Sequence, residues 1–303
     1  MMNGRTPHIV QYQGSKRLLA SQILKHMPRK FNRLFEPFSG MAAVTIATAK
    51  ENRAERYHIN DINEPVVRIL QTAVDNPSSL AGKYAKVWSE QFSHGDGHIG
   101  HFYAVRERFN GGEQTAENML YLLARCVKGS VRYGKNGNFN QSPDKRRHGT
   151  NPKNMEKNIF AISAMLKGKT FFSSCDYREI FGTIKPGDLV YMDPPYQGVS
   201  SSRDNRYLSG LGFDEFCQSI ETLDSMKIDY IISYDGECGD KEYGKDLPKE
   251  LNCAKFMLDA GISTQSTLLG RTNTTLESLY VSKNIANAEA VSAPRQLTLM
   301  ELH

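Results

Sequence analysis

Leu189-Val190-Tyr191-Met192-Asp193-Pro194-Pro195-Tyr196 is the stretch around which the rest of this chain is arranged. Its first four residues are apolar and follow a Gly-Asp pair, which predicts a short buried strand. The two prolines predict a stiff turn, and Pro194 offers a carbonyl but no N–H. We therefore expect a carboxylate, a fixed carbonyl and an aromatic ring at the carboxyl end of a strand, where open α/β sheets bind ligands.

These three groups suit an exocyclic amine on a nucleic-acid base. Asp193 and the Pro194 carbonyl can accept the two amine hydrogens, which directs the nitrogen lone pair toward an electrophile. Tyr196 can stack on the base once that base has been flipped out of the duplex. The alternative is a strand and turn that carry an incidental acid. The complete motif Asp193-Pro194-Pro195-Tyr196 is much less probable by chance directly after an apolar strand. We therefore predict Asp193, Pro194 and Tyr196 as catalytic residues.

Strand and helix patterns alternate along the chain, which predicts an α/β fold with a doubly wound, mostly parallel sheet. The predicted strands are 32–35, 57–60, 170–174, 189–192 and 230–234. Toward the end of the chain the pattern predicts a helix over 249–259 and a closing antiparallel hairpin from 264–269 and 275–281. A frayed tail is expected after about residue 285.

Polar residues follow three of the predicted strands. Phe35 to Ala43 gives a glycine turn at Gly40 before a helix, which is where backbone N–H groups meet nucleotide-like ligands. Asp61 ends the next strand and is placed to accept ribose hydroxyls. Asp176, followed by Tyr177, can hold an adenine ring. For Asp61 and Asp176 a helix cap is an equally good interpretation.

The composition points to a protein of reducing compartments. The chain has 303 residues, 39% of them hydrophobic, and five cysteines without a C-x-x-C pair. Scattered, odd-numbered cysteines are typical of reduced thiols rather than a disulfide framework. The sequence shows neither an apolar run near the ~20 residues of a membrane span nor a signal-peptide pattern. We therefore expect a cytoplasmic protein without a membrane partner.

The net charge of +5 comes from one stretch. Nine basic and two acidic residues fall between Arg125 and Lys157, so the rest of the chain is slightly acidic. A solvated charged face is the alternative, but interspersed Gly and Asn predict a flexible loop over 128–153 that follows a phosphate backbone.

Three histidines lie in the stretch His94-Gly95-Asp96-Gly97-His98-Ile99-Gly100-His101. Their spacing raises the alternative of a metal site. Glycines argue against a helix there, and no Cys or Glu completes a ligand set. We therefore expect a polar loop and predict no metal. Flanking helices are predicted over 77–92 and 101–127.

Five motifs follow one another along the chain: Tyr12-x-Gly14-x-Lys16, Glu36-Pro37-Phe38-Ser39-Gly40, Asp61, Asp176 and Asp193-Pro194-Pro195-Tyr196. In this order they resemble the DNA adenine-N6 methyltransferases of the Dam-like family, also called the alpha or D12 type. The resemblance covers about residues 9–284. Leu120-Tyr121-Leu122, Arg132-Tyr133 and Gly137-x-Phe139-Asn140 are similar to its DNA-contacting region. A Rossmann-like catalytic domain is then expected from 1–76 and 158–284. A mainly helical target-recognition domain is expected over 77–157, and a tail over 285–303.

The resemblance implies S-adenosyl-L-methionine as cofactor and double-stranded DNA as partner. The cofactor contacts that it implies are Tyr12, Lys16, Glu36, Phe38, Ser39, Gly40, Asp61, Asp176 and Asp193. The expected DNA contacts are Arg125, Lys128, Arg132, Lys135, Asn138, Asn140, Lys145, Arg146 and Arg147. Arg132 matches a base-reading position, and arginine suits the O6/N7 edge of guanine.

Departures from the family pattern concern the target site. Ala42 replaces a second glycine, Gln11 a base-reading lysine, and Val127-Lys128 an aromatic–Asn pair. These changes leave the catalytic chemistry intact, but they argue against assuming a GATC target. N4-cytosine methylation is the main alternative. RNA or protein-glutamine methylation and a non-catalytic DNA-binding subunit are weaker ones. A restriction–modification system would supply a cognate endonuclease as a further partner; the sequence leaves the oligomeric state open.

Overall fold

The computed structural model describes residues 6–195, 212–238, 241–243, 246–262 and 274–292. It is an α/β structure built on a mixed sheet. The strands are β1 (Phe31–Glu36), β2 (Ala54–Asn60), β3 (Thr170–Ser173), β4 (Leu189–Met192), β5 (Asp229–Cys238), β6 (Lys241–Tyr243), β7 (Cys253–Ile262) and β8 (Thr274–Ser282). The α-helices are α1 (Ala20–Ile23), α2 (Ala43–Lys50), α3 (Glu64–Asp75), α4 (Pro77–Glu90), α5 (Gly97–Asn110), α6 (Ala116–Arg125), α7 (Pro152–Leu166), α8 (Phe213–Ser225) and α9 (Lys283–Ser292).

The sheet order is β3-β2-β1-β4-β5-β8-β7, with β6 paired to β5. Neighbouring strands from β3 to β5 are parallel, whereas β8 pairs antiparallel with β5 and β7. The strand order changes direction between β1 and β4, the point where ligands bind in open α/β sheets. The predicted doubly wound sheet is confirmed, and β4 contains the apolar run that predicted it.

Burial explains why the central strands are apolar throughout. All four residues of β4 are buried, because helices cover both faces of a doubly wound sheet. The helices α4 to α7, from the predicted insertion and the residues just after it, do not build a separate core. Their buried side chains, such as Tyr84, Phe102 and Ile159, join one continuous hydrophobic cluster with Ile59 of β2.

The closing part of the sheet departs from the sequence prediction. Residues 253–262 form strand β7, so the helix predicted over 249–259 is wrong. An antiparallel hairpin closes the sheet as expected, but its first strand is β7, and the predicted strand at 264–269 lies outside the described residues. The predicted frayed tail begins instead with α9, which spans Lys283–Ser292. Strand pairing with β8 outweighs the helix-forming side chains of β7.

The helical region also differs in detail. The helix predicted over 101–127 is two helices, α5 and α6, which residues 111–115 separate. The first of them begins at Gly97, so His98 and His101 lie on a helix and not on the predicted loop. Within the described ranges, no helix combines the length and apolar character needed to cross a membrane.

Candidate active site

The carboxyl ends of β3, β2, β1 and β4 open into a cleft of about 280 Å³. Every described residue that the sequence assigned to the cofactor or to catalysis lines this cleft: Tyr12, Lys16, Glu36, Phe38, Ser39, Gly40, Asp61, Asp176, Asp193 and Pro194. The predicted catalytic Tyr196 lies outside the described residues. The fold thus brings together residues that are far apart in the chain.

The turn after β1 requires a glycine at one position. Gly40 has a φ of +48°, and a Cβ there would lie 2.8 Å from a ring carbon of Tyr12. The Tyr12 ring thus packs directly on this turn. Ala42 also has a left-handed φ of 52°. Alanine in this conformation costs about 1–2 kcal/mol.

Glu36 ends β1 and is almost fully buried, with 3% of its surface exposed. One carboxyl oxygen accepts a 3.0 Å hydrogen bond from the backbone N–H of Thr45 in the first turn of α2. Burial raises the pKa of Glu36 to about 8, against the lowering effect of the Thr45 hydrogen bonds, and the nearby Asp193 charge adds to the rise. Burial therefore favours the protonated form of this carboxyl.

Asp61 at the tip of β2 connects the glycine turn to the start of α3. Its Oδ2 accepts from the Gly40 N–H at 2.8 Å, and its Oδ1 accepts from the Asn63 N–H at 2.9 Å. Asn63, not Asp61, is the N-cap residue of α3. Burial raises the pKa of Asp61, while both backbone hydrogen bonds lower it. Asp61 thus orders the cleft wall and is not itself the helix cap.

Asp176 serves as a helix cap, which was the alternative interpretation of this residue. It forms a capping box with Glu179 on the 3₁₀ helix Tyr177–Thr183 and pairs with Arg178 at 2.8 Å. The hydrogen bond from Arg178 lowers the pKa of Asp176. Beside it, the ring of Tyr177 lies 4.8 Å from that of Phe38 and forms an aromatic wall of the cleft.

Asp193 is paired in a chain of charges. The Lys16 ammonium lies 2.8 Å from Asp193 Oδ1 and 2.7 Å from Glu277 Oε1 of β8. Lys16 is 6% exposed, so the three charges share a nearly dry environment. Burial raises the pKa of Asp193 to about 6; Lys16 lowers it, and Glu277 raises it further. The carboxylate is thus held in place by a salt bridge on the strand side of the cleft.

The described basic side chains of the stretch 125–157 lie outside the cleft, although Val131 and Tyr133 line it, and the stretch is anchored. Isolated β-bridges join Tyr133 to Phe139 and Cys126 to Pro143, and Phe139 is buried at 1% exposure. The stretch is largely irregular, as the predicted loop requires, and these contacts pack part of it against the rest of the chain. The predicted DNA contacts on its exposed surface are Arg132, Lys135, Asn138, Asn140, Lys145, Arg146 and Arg147. The Lys128 side chain lies outside the described set.

Arg125 contradicts its predicted place among the DNA contacts. It is fully buried, and its guanidinium donates to the carbonyls of Asp144 and His98. The backbone of Asp144 donates back to the Arg125 carbonyl at 2.7 Å. Arg125 thus holds the basic segment against α5 from inside.

Most of the chain matches one protein family. The model of the D12 class N6 adenine-specific DNA methyltransferases matches residues 12–290. The chain belongs to this family. Its match covers the cleft, the helical region and the closing hairpin, in agreement with the resemblance noted from the motifs.

Three relatives of this D12 class chain illustrate the similarity. The retron Ec67 DNA adenine methylase of Escherichia coli is 29% identical over 64% of this chain and 65% of its own length. The DNA adenine methylase of Serratia marcescens is 25% identical over 64% of this chain and 68% of its own. The type II methyltransferase M1.LlaDCHI of Lactococcus lactis subsp. cremoris is 27% identical over 63% and 66%. The chain thus matches about two thirds of each relative's length.

Several residues of the D12 site escaped the sequence analysis. Asn60 is 1% exposed and donates to the carbonyls of Pro37 and Cys175, so it ties three strand ends together. Tyr133, expected near DNA, instead lines the cleft and donates to Asn63 Oδ1 at 2.9 Å. A polar Asn at the end of an apolar strand was the available signal for Asn60. The positions of Tyr133 and Glu277 had no local signal.

The histidines singled out in the sequence have other partners. His101 Nε2 lies 2.8 Å from the Val87 carbonyl, and the His94 and His101 rings are 5.6 Å apart. Among the residues that the structure describes, no three metal-ligating side chains converge.

Proposed function

We propose that this chain transfers a methyl group from S-adenosyl-L-methionine to the N6 amine of an adenine flipped out of duplex DNA. The observation that carries the proposal is the position of Asp193 and Pro194 at the end of β4, beside the cleft that the predicted cofactor residues line. Membership of the D12 class supports the base and the position on it.

The cleft suits the proposed cofactor. Asp61 offers a carboxylate for ribose hydroxyls, and the aromatic pair Phe38 and Tyr177 offers flat faces for an adenine. The two carboxylates of Asp193 and Glu277 face the single ammonium of Lys16, and this excess of negative charge favours a cationic ligand over a neutral one. When bound, S-adenosyl-L-methionine supplies an electrophilic methyl group on a sulfonium.

The residues of this chain then orient the nucleophile. Asp193 and the Pro194 carbonyl accept the two N–H groups of the target amine, so its lone pair points along the line of transfer. The bound cofactor would supply the methyl group to the amine nitrogen and keep the sulfur as its leaving group, and Asp193 would accept the amine proton and pass it to water. Tyr196 is proposed to stack on the flipped base.

We further propose that the exposed side of residues 77–157 recognises the target, with Arg132 reading a base and Lys145, Arg146 and Arg147 contacting phosphates. Residues 1–76 and 158–284 would carry the chemistry. A DNA substrate and the free cysteines of the described residues favour the cytoplasm. The name of a type II relative makes a cognate endonuclease a reasonable partner to look for.

The test is transfer of a labelled methyl group to unmethylated genomic DNA, followed by nucleoside mass spectrometry, for the wild-type chain and Asp193→Ala. We expect N6-methyladenine from the wild type. The variant should lose about 1,000-fold or more in rate, because positioning is worth several kcal/mol. DNA binding should change little, because the phosphate contacts lie elsewhere. N4-methylcytosine would overturn the base, and unimpaired methylation by the variant would overturn the mechanism.

A further inference from the structure

One ammonium group serves two carboxylates at the catalytic strand end. Lys16 lies 2.8 Å from Asp193 and 2.7 Å from Glu277, and the two carboxylate side chains are 19% and 13% exposed. The three residues come from the segment before α1, the end of β4 and strand β8. Glu277 is not among the described residues that line the cleft, and it acts on Asp193 through Lys16 and through its own charge.

The neighbours of Asp193 have opposing effects on its carboxylate. Lys16 stabilises the negative charge and lowers the pKa of Asp193, whereas Glu277 raises that pKa. Two further titratable groups face it: Glu36 of β1, through a charge interaction, and the phenol of Tyr191 in β4. Without Glu277, Lys16 would give its full attraction to Asp193, and the carboxylate would become a weaker hydrogen-bond acceptor.

We propose that Glu277 is a positioning residue for methyl transfer: it shares Lys16 with Asp193, so that Oδ1 is fixed while the carboxylate remains a strong acceptor for the target amine. This inference rests on the proposed function, in which Asp193 accepts an amine hydrogen. Because Glu277 lies outside the described residues that line the cleft, its loss should affect the chemical step and leave binding largely intact.

The experiment compares wild type with Glu277→Gln, Glu277→Asp and a surface control, Glu250→Gln, which removes a carboxylate from an exposed site. Single-turnover methylation is measured against pH with saturating cofactor and DNA. The pKa of Asp193 is measured separately by NMR of ¹³C-labelled aspartate carboxyls, assigned with Asp193→Asn. The NMR readout does not depend on activity.

In Glu277→Gln we expect the rate to fall about 10-fold or more. The cofactor Kd should stay within about 3-fold, and the Asp193 pKa and the acid limb of the rate profile should move to lower pH. Glu277→Asp keeps the charge, so its acid limb should stay near that of the wild type. Glu250→Gln should match the wild type throughout.

An unshifted Asp193 pKa in Glu277→Gln would overturn the inference, as would a rate loss explained entirely by weaker cofactor binding. A wild-type chain that methylates no DNA would overturn the proposed function instead. In that case a shifted Asp193 pKa would still establish the electrostatic link from Glu277.

Discussion

Glu36 is a buried acid whose ionisation opposes folding. Its pKa rises from 4.5 to about 8 in the folded chain, chiefly through burial. Its contribution to stability is therefore fully present below about pH 4.5 and is lost as the pH rises through 8. Above that pH the unfolded chain carries a solvated carboxylate that the folded chain must bury, at a cost of a few kcal/mol.

We compare the free energy of unfolding of Glu36→Gln with that of the wild type at each pH. The difference should favour the variant by about 1–3 kcal/mol more at pH 8.5 than at pH 5. Urea denaturation of the cofactor-free chain at both pH values measures this difference. The packing cost of glutamine is the same at both and cancels. An equal effect of the substitution at pH 5 and pH 8.5 would show that Glu36 is already ionised.

Tyr133 links the basic segment to the cofactor cleft. Its hydroxyl donates to Asn63, whose backbone N–H donates to Asp61. Removing one such hydrogen bond costs about 1 kcal/mol, so Tyr133→Phe should weaken cofactor binding about 5-fold by calorimetric titration. Tyr57→Phe is the control, since its hydroxyl donates to the Ala54 carbonyl at the far end of β2. Equal Kd values for both variants would refute the link.

At the scale of elements, the turn after α6 is docked on the segment before α1. Gly129 has a φ of +58°, and a Cβ there would lie 1.7 Å from the Gln11 carbonyl oxygen. The Gly129 carbonyl also accepts from the Gln13 N–H at 3.2 Å. A side chain at this position must therefore push the two segments apart.

Gly129→Ala should lower the free energy of unfolding by more than 3 kcal/mol, from the left-handed backbone plus the clash. Gly137→Ala is matched to it: its φ is +77°, but nothing lies within 4 Å of the added Cβ, so it should cost only about 1 kcal/mol. Denaturant titration of both variants gives the comparison. If both variants lost similar free energy of unfolding, the turn after α6 could move away from the segment before α1 without destabilising the fold.

The ends of the parallel strands were predictable from the sequence, whereas strand β7 and the long-range contacts were not. Parallel strands end at one edge, so acids and a glycine after the predicted strands had to meet there, as Gly40, Asp61 and Asp193 do. Strand β7 was missed because Lys255, Met257 and Leu258 are good helix formers, and pairing with β8 makes the segment a strand. The Lys16–Glu277 contact joins residues from opposite ends of the chain, and no local pattern encodes such a pair.

For the whole molecule, positive charge is concentrated in one stretch of the chain. The stretch from Arg125 to Lys157 carries +7, while the remaining chain carries −2. With Arg125 buried, the exposed basic residues of this stretch, such as Arg132, Lys145 and Arg147, form the surface that we propose attracts phosphates.

Lys145→Ala should weaken binding to cognate and random duplexes equally and lower the salt dependence by about one unit of log–log slope. Arg132→Ala should instead reduce the preference for the cognate site, by about 1–3 kcal/mol of discrimination. Binding titrations at several salt concentrations, with the target found by sequencing methylated DNA, separate the two. Identical losses on both duplexes for both variants would reduce Arg132 to a phosphate contact.

The order of the sheet has a consequence for how the chain is made. β1 lies between β2, which follows it closely, and β4, which leaves the ribosome more than 150 residues later. At about 5–20 residues per second, one edge of β1 waits on the order of ten seconds or more for its partner. A nascent chain in this interval exposes an apolar strand edge to other chains. The length of the helical region between β2 and β4 therefore sets how long this edge of β1 stays unpaired during synthesis.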